Sequence, residues 1–254
     1  MRQTMGAWGT LKCDTHHCMC PASWGNKDKS KVMDQTPVHD VHNPDLLRII
    51  PPHSRKLIEI GCSSGALARA FKQVSPDCDY VGIEVDPSYA EMAGRFCDQS
   101  LLLDVEKADE AFWASVADRD CWIFGDTLEH MRDPWRLLTQ VRRVMPANGV
   151  VAACIPNMQH WSMQVRLCMG DLRYQPSGLM DRTHLRWFTR QTIHALFEQS
   201  GFRIESLQPR IFNEPSRDKY LPAIVNMALL AGADPDLAVK DALAMQYVVK
   251  ATPI

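Results

Sequence analysis

Apolar and polar positions follow two periods along most of this chain. Nearly continuous apolar runs at 57–60, 79–84, 100–104, 121–125 and 150–155 read as strands buried on both faces. Between them the period lengthens to that of a helix. Leu67, Ala70, Phe71 and Val74 share one face of 66–74, and Leu137, Leu138, Val141, Val144 and Met145 share one face of the helix after Asp133. Two helices open alike: Asp86-Pro87 and Asp133-Pro134 each set a capping carboxylate before a proline at the first helical position. The first is expected to run to about Phe96, and a short helix around 111–116 follows the third strand. Five strands alternating with helices predict a doubly wound, mainly parallel α/β sheet with right-handed crossovers.

The pattern loosens beyond 155. Residues 157–188 are less regular, and no element is read in them. Thr189 then caps a helix that runs to about Ser200 and stops at Gly201. A strand is expected at 202–208, helix over 219–243 with a break at 232–235, and a closing strand at 246–251. Residues 1–36 mix Gly, Lys, Asp, Ser and Cys without apolar periodicity, which predicts a flexible extension ahead of one domain over 37–254. Within the extension, Cys13, Cys18 and Cys20 lie among His16 and His17. A soft-metal site and an unstructured tail are both open readings of this cluster, and no second C-x-x-C completes it.

Composition narrows the class. At 254 residues the chain holds one sizeable domain with additions, and a net charge of −2 gives no global pull toward nucleic acid. No apolar run reaches the roughly 20 residues of a membrane span; the longest, 221–233, is broken by Asn226. The first residues lack the apolar core of a signal peptide. Nine cysteines, odd in number and mostly scattered, suit a reduced, cytoplasmic setting.

In an open parallel sheet the ligand sits beyond the carboxyl ends of the strands, so the residues ending each strand carry the chemistry. The first strand ends in Glu59-Ile-Gly-Cys-Ser-Ser-Gly65. A dinucleotide site wants G-x-G-x-x-G, and here Ser63 stands at the middle glycine. The acidic-x-Gly-x-x-x-Gly pattern of Glu59, Gly61, Ser63 and Gly65 points instead to S-adenosylmethionine. Ser63 or Ser64 is in place to offer a hydroxyl or to cap the following helix. Glu84 ends the second strand, where a carboxylate can accept from two ribose hydroxyls. Asp104 ends the third, where it can accept from an adenine amino group. Each feature alone is also an ordinary turn residue; their order and spacing agree.

These motifs resemble the class I S-adenosylmethionine-dependent methyltransferases. Glu59 to Gly65 is similar to that family's first motif, and Tyr80-Val-Gly-Ile-Glu-Val-Asp-Pro87 to its second, with Glu84 as the ribose-binding acid. Asp104 matches the adenine-side acid. Phe124-Gly-Asp-Thr-Leu-Glu-His-Met131 is similar to the motif after strand four, where backbone near Gly125 meets the methionine part of the cofactor. Ile155-Pro-Asn157 and Gly178-Leu-Met-Asp-Arg-Thr-His-Leu-Arg-Trp-Phe-Thr189 resemble a bacterial branch found beside glycosyltransferases in polysaccharide gene clusters. The resemblance implies a seven-stranded Rossmann-like sheet with its last strand antiparallel, a sugar or glycan-precursor acceptor, and glycosyltransferase partners.

Methyl transfer to a hydroxyl needs in-line positioning and removal of a proton. Histidine suits the second task near neutral pH, and no metal is required. His130, His160 and His184 compete, with Asp181 placed to orient one of them. In related sugar O-methyltransferases a histidine at the place of His130 is the base. Trp161, Tyr174, Trp187 and Phe188 read either as a sugar platform or as core, and Arg182 and Arg186 as contacts to an acidic acceptor or as surface charge. Three further readings stay open: a quinone, lipid or amine acceptor; a non-catalytic scaffold that binds the cofactor; and, weakest, a nicotinamide dehydrogenase.

Overall fold

The apolar runs pair as one sheet. The computed structural model describes residues 36–38 and 40–254; apart from Thr36, the expected N-terminal extension and its cysteine–histidine cluster lie outside the described residues. Helix α1 (Pro44–Ile49) leads into β1 (Lys56–Ile60), α2 (Ala66–Val74), β2 (Asp79–Glu84), α3 (Pro87–Ala93) and β3 (Gln99–Leu102). There follow α4 (Glu110–Ser115), β4 (Cys121–Gly125), α5 (Pro134–Val144), β5 (Val150–Pro156), α6 (Trp161–Cys168) and α7 (Arg190–Gln199). The chain closes with β6 (Phe202–Arg210), α8 (Leu221–Leu230), α9 (Pro235–Leu243) and β7 (Gln246–Pro253). Strand order is β3-β2-β1-β4-β5-β7-β6, with β7 antiparallel to both neighbours. From β1 the chain winds outward through β2 and β3, then returns to β4 on the other side. The switch point therefore falls between β1 and β4.

The period of two within each strand divides the core between the two faces. Ile58, Ile60, Trp122, Phe124 and Val151 pack with α5 and α7 on one face. Leu57, Tyr80, Cys121, Ile123 and Ala152 pack with α1 and α2 on the other. Glu59 shares the parity of Leu57, which aims its carboxyl at the α1–α2 side.

Three expectations are corrected. The third strand ends at Leu102, not Asp104: Asp104 turns out of the sheet and caps a short 3₁₀ turn, accepting from the Glu106 N–H. Helix α3 stops at Ala93 rather than Phe96: past Gly94 the bonding tightens, with the Arg95 and Phe96 N–H groups reaching the carbonyls three residues back, Met92 and Ala93. Residues 157–188 are not wholly irregular, since α6 lies within them. Helix α1 was not anticipated. It opens on Asn43-Pro44, a third copy of the cap-and-proline signature, with Asn43 accepting from the N–H groups of Asp45 and Leu46.

Candidate active site

The turn after β1 is shaped by close approach. Gly61 and Gly65 lie at φ +75° and +77°. A Cβ on Gly61 would sit 2.8 Å from Thr127 Oγ1, in the loop after β4. That hydroxyl in turn donates to the Ile60 carbonyl at 2.8 Å, which ties the ends of β1 and β4 together. Between the glycines, Ser63 holds φ +47°, a conformation that costs a side-chain-bearing residue about 1 kcal/mol or more. Its N–H donates to Glu84 Oε2 at 2.8 Å. Neither serine caps α2; the cap residue is Gly65, with no side-chain bond.

Glu84 anchors the end of β2. Its other oxygen accepts from the N–H groups of Val85 and Asp86 at 2.7 and 3.2 Å. Its side chain is buried. Glu59 lies behind the turn and accepts from the Tyr80 hydroxyl at 2.8 Å. Burial raises the Glu59 carboxyl to about 8, against the pull of that hydrogen bond, so it is protonated at neutral pH. Asp104 pairs with Lys107 at 2.7 Å. Gly125 ends β4, where a Cβ would lie 3.2 Å from Leu46. All seven candidate cofactor positions except Gly65 line a single cavity of about 940 Å³. That space, on the β1–β4 switch edge with acidic acceptors on two strands, fits a nucleoside-bearing cofactor and an acceptor together.

The facing wall is made by side chains. His130 closes a short 3₁₀ turn, Leu128–His130. Its Nδ1 lies 3.2 Å from the Thr183 carbonyl and 3.0 Å from Thr183 Oγ1. Thr183 Oγ1 donates to Asp181 Oδ1 at 2.7 Å, and the Thr183 N–H donates to the same oxygen at 2.8 Å. Thr36 Oγ1 donates to Asp181 Oδ2 at 3.1 Å. The segment is docked by the N–H groups of Leu185 and Arg186, both bonded to the Glu129 carbonyl at 2.9 Å. His184 packs edge-on to His130, ring centroids 4.8 Å apart, and its Nδ1 faces the Leu179 carbonyl at 3.3 Å.

Burial lowers the pKa of both histidines. For His130 the Thr183 carbonyl and the Asp181 charge oppose the fall; His184 drops to about 4, with His130 adding to the effect. Asp181 is also raised by burial, but its bonds from Thr183 and Thr36 outweigh that and hold it below the usual carboxylate range. Burial, then the charge of Asp126, pushes the Glu129 carboxyl well up, and neither of its oxygens has a hydrogen-bond partner. At pH 7 the wall thus presents two neutral imidazoles and the Asp181 carboxylate, beside a Glu129 carboxyl that burial shifts toward its protonated form. Glu129, His130 and His184 each offer a ligand atom within 4.8 Å of the others, the one such group among the described residues.

The structure brings together His130, His184 and Asp181, and sets His160 apart. His160 does not line the cavity. It is fully buried, with Nδ1 at 2.8 Å from Ser162 Oγ and Nε2 at 3.0 Å from Glu214 Oε2. That pairing joins the start of α6 to the turn before α8. Of the two readings of Trp161, Tyr174, Trp187 and Phe188, sugar platform or core, the platform finds no support, since none of the four lines the cavity. Phe188 is core, Trp161 stacks on Tyr220 at 5.4 Å, and Tyr174 and Trp187 pair at 6.5 Å on the surface. Arg182 and Arg186 also stand outside the lining. Sequence reasoning missed Thr183 and Thr36. The Asp-x-Thr spacing of 181–183 was the available signal, because it lets one carboxylate bond both the N–H and the hydroxyl two residues on.

A seven-stranded sheet of this order, with glycine turns and strand-end acids around one cavity, defines a class I S-adenosylmethionine-dependent methyltransferase. A family model described as a methyltransferase domain matches residues 39–207, and the chain belongs to that family. Its cofactor is S-adenosylmethionine. A ubiquinone biosynthesis O-methyltransferase of Cereibacter sphaeroides is 23% identical over 176 residues, 68% of this chain and 70% of that relative. An S-adenosylmethionine-dependent methyltransferase from Archaeoglobus fulgidus superposes with a TM-score of 0.56 at 15% identity, over 82% of this chain and 91% of that one. An O-methyltransferase from neocarzinostatin biosynthesis, solved with S-adenosyl-L-homocysteine and 1,4-dihydroxy-2-naphthoic acid, gives 0.52 at 11% identity. The match covers 83% of this chain and 53% of that one. At these identities the two structures share the fold. Among the described residues, no helix is long and apolar enough to cross a membrane.

Proposed function

We propose that this methyltransferase acts on a hydroxyl group, with His130 as the general base. One observation carries the reading: His130 lines the cavity with Nδ1 engaged by Thr183, and Nε2 has no hydrogen bond among the described residues. When bound there, S-adenosylmethionine would supply a sulfonium methyl group, the C–S electron pair passing to sulfur as the acceptor oxygen bonds the methyl carbon. The acceptor's hydroxyl proton passes to His130 Nε2, a step typically worth about 10²–10⁴-fold. Burial keeps the imidazole neutral, and therefore ready to take that proton, at neutral pH. Glu84 would receive the ribose hydroxyls, Asp104 the adenine amino group, and Gly61, Ser63, Gly65, Gly125 and Glu59 would hold the rest of the cofactor. Glu59, protonated beside Tyr80, adds no full negative charge there.

The acceptor class is a sugar or glycan precursor, on the strength of the 178–189 motif alone; glycosyltransferase partners rest on the same motif. A second reading takes a phenolic small molecule as acceptor. It is favoured by the relative named for ubiquinone biosynthesis. Labelled S-adenosylmethionine offered with nucleotide sugars and with small phenols separates the two. Label on the phenols alone removes the sugar reading. Label on neither acceptor, with saturable cofactor binding, turns the proposal toward a non-catalytic scaffold.

A further inference from the structure

A base that uses Nε2 must carry its resting proton on Nδ1, whereas a free imidazole in water favours the opposite tautomer. The surroundings of His130 settle the choice by counting protons. Asp181 is buried and ionised, so it only accepts. Thr183 Oγ1 lies 2.7 Å from Asp181 Oδ1, 3.0 Å from His130 Nδ1 and 3.2 Å from Thr36 Oγ1, and its single hydroxyl proton goes to the carboxylate, the nearest and strongest acceptor of the three; the Thr36 hydroxyl donates to Asp181 Oδ2 at 3.1 Å. Thr183 Oγ1, 3.0 Å from His130 Nδ1, has no proton left to give. The Thr183 carbonyl, 3.2 Å from the same nitrogen, never had one. Both neighbours of Nδ1 are therefore acceptors, and Nδ1 must be the donor.

We propose that Thr183 and Asp181 are positioning residues that lock His130 in its Nδ1–H tautomer and leave the Nε2 lone pair to the acceptor. The assignment rests on the reading of His130 as base and deepens it. It differs from the Ser-His-Asp arrangement in one respect: a hydroxyl stands between carboxylate and imidazole. Asp181 still stabilises the imidazolium that forms, by charge across the intervening Thr183. The other titratable groups facing this corner are His184, Glu129, Asp126 and Arg132. His184 stays uncharged, burial shifts Glu129 toward its protonated form, and Asp181 is the one acidic residue of the 177–185 segment.

Long-range ¹H–¹⁵N correlation on the full chain carrying ¹⁵N-histidine reads the tautomer directly. The His130 signals are assigned by their loss in His130→Gln. The expected wild-type spectrum shows the Nδ1–H form of His130 dominant. In Thr183→Val and in Asp181→Ala the Nε2–H form rises by roughly five-fold, the ratio that one hydrogen bond sets, and the imidazole pKa falls. Thr183→Ser restores the wild-type pattern. A wild-type Nε2–H tautomer would overturn the proposal, as would variants that leave both tautomer and pKa in place. Should one variant fail to fold, the other with the serine rescue decides. The readout needs no acceptor, so its failure is distinct from failure of the base assignment, which turnover of His130→Ala tests.

Discussion

On its β1–β2–β4 side the cavity is walled mostly by backbone: the Gly61–Gly65 turn, the amides gathered on Glu84, and Gly125. On the opposite side it is walled by side chains: His130 from the loop after β4, and Thr183, Asp181 and His184 from a segment more than fifty positions later. The first wall is held in place by the sheet itself, since each group sits at a strand end or one turn beyond it. The second depends on docking of 177–185 against the loop after β4, through the Glu129 carbonyl and the Thr36–Asp181–Thr183 bonds. Backbone and strand-end acids suit a ligand that never changes, and side chains on a loop segment suit one that differs between enzymes.

If that division is right, substitutions on the two walls separate binding from chemistry. The largest effect is expected at His130. His130→Ala lowers the single-turnover rate by about 10²–10⁴-fold and leaves the calorimetric affinity for S-adenosylmethionine unchanged. Next is Glu84→Ala, which weakens cofactor binding by about ten- to a hundred-fold, the cost of about 1.5–3 kcal/mol of charge-assisted bonds. Unchanged affinity in that variant would break the backbone-wall account. His160→Ala removes the imidazole that bridges Ser162 and Glu214, leaving Glu214 only the Trp161 Nε1–H, and costs about 1–3 kcal/mol in denaturant unfolding, while cofactor affinity stays at the wild-type level. An affinity loss would return His160 to the site.

A pH dependence, read in stability rather than in activity, concerns Glu59. Its folded pKa of about 8 stands above the unfolded value of 4.5, so the folded state binds the extra proton between those limits. Stability therefore falls as pH rises through that window, by about 1.4 kcal/mol per unit, and levels off above pH 8. Glu59→Gln should flatten this slope in denaturant titrations at pH 5 to 8. A slope unchanged by the substitution would mean that Glu59 is ionised in the folded protein.

The same division governs what could be read from the chain. Strand β2 falls where the apolar run predicts it, 79–84, and β4 likewise at 121–125. Strands with both faces buried announce themselves, and a ligand turn follows directly from a strand's end. Helix α1 was legible in Asn43-Pro44 but went unread. Helix α6 lacked such a signal, since His160 caps it without a side-chain bond. Histidine placement was the harder problem. His160 and His130 looked alike in sequence, each just past a strand. Only the fold shows that Glu214 claims one and that the segment bearing Thr183 closes over the other. Contacts between residues so far apart carry no local period or spacing, apart from the Asp-x-Thr turn that shapes Asp181 and Thr183.

The central claim is that one wall holds the cofactor and the other draws the proton from a hydroxyl. The most direct measurement pairs wild type with His130→Ala, using methyl-deuterated S-adenosylmethionine and a crude glycan extract, with mass spectrometry of the products and calorimetry of cofactor binding. The account predicts one labelled methyl on a hydroxyl oxygen with wild type, its loss in the variant, and equal cofactor affinity in both. Undiminished label transfer by His130→Ala, or loss of cofactor binding together with transfer, would contradict it.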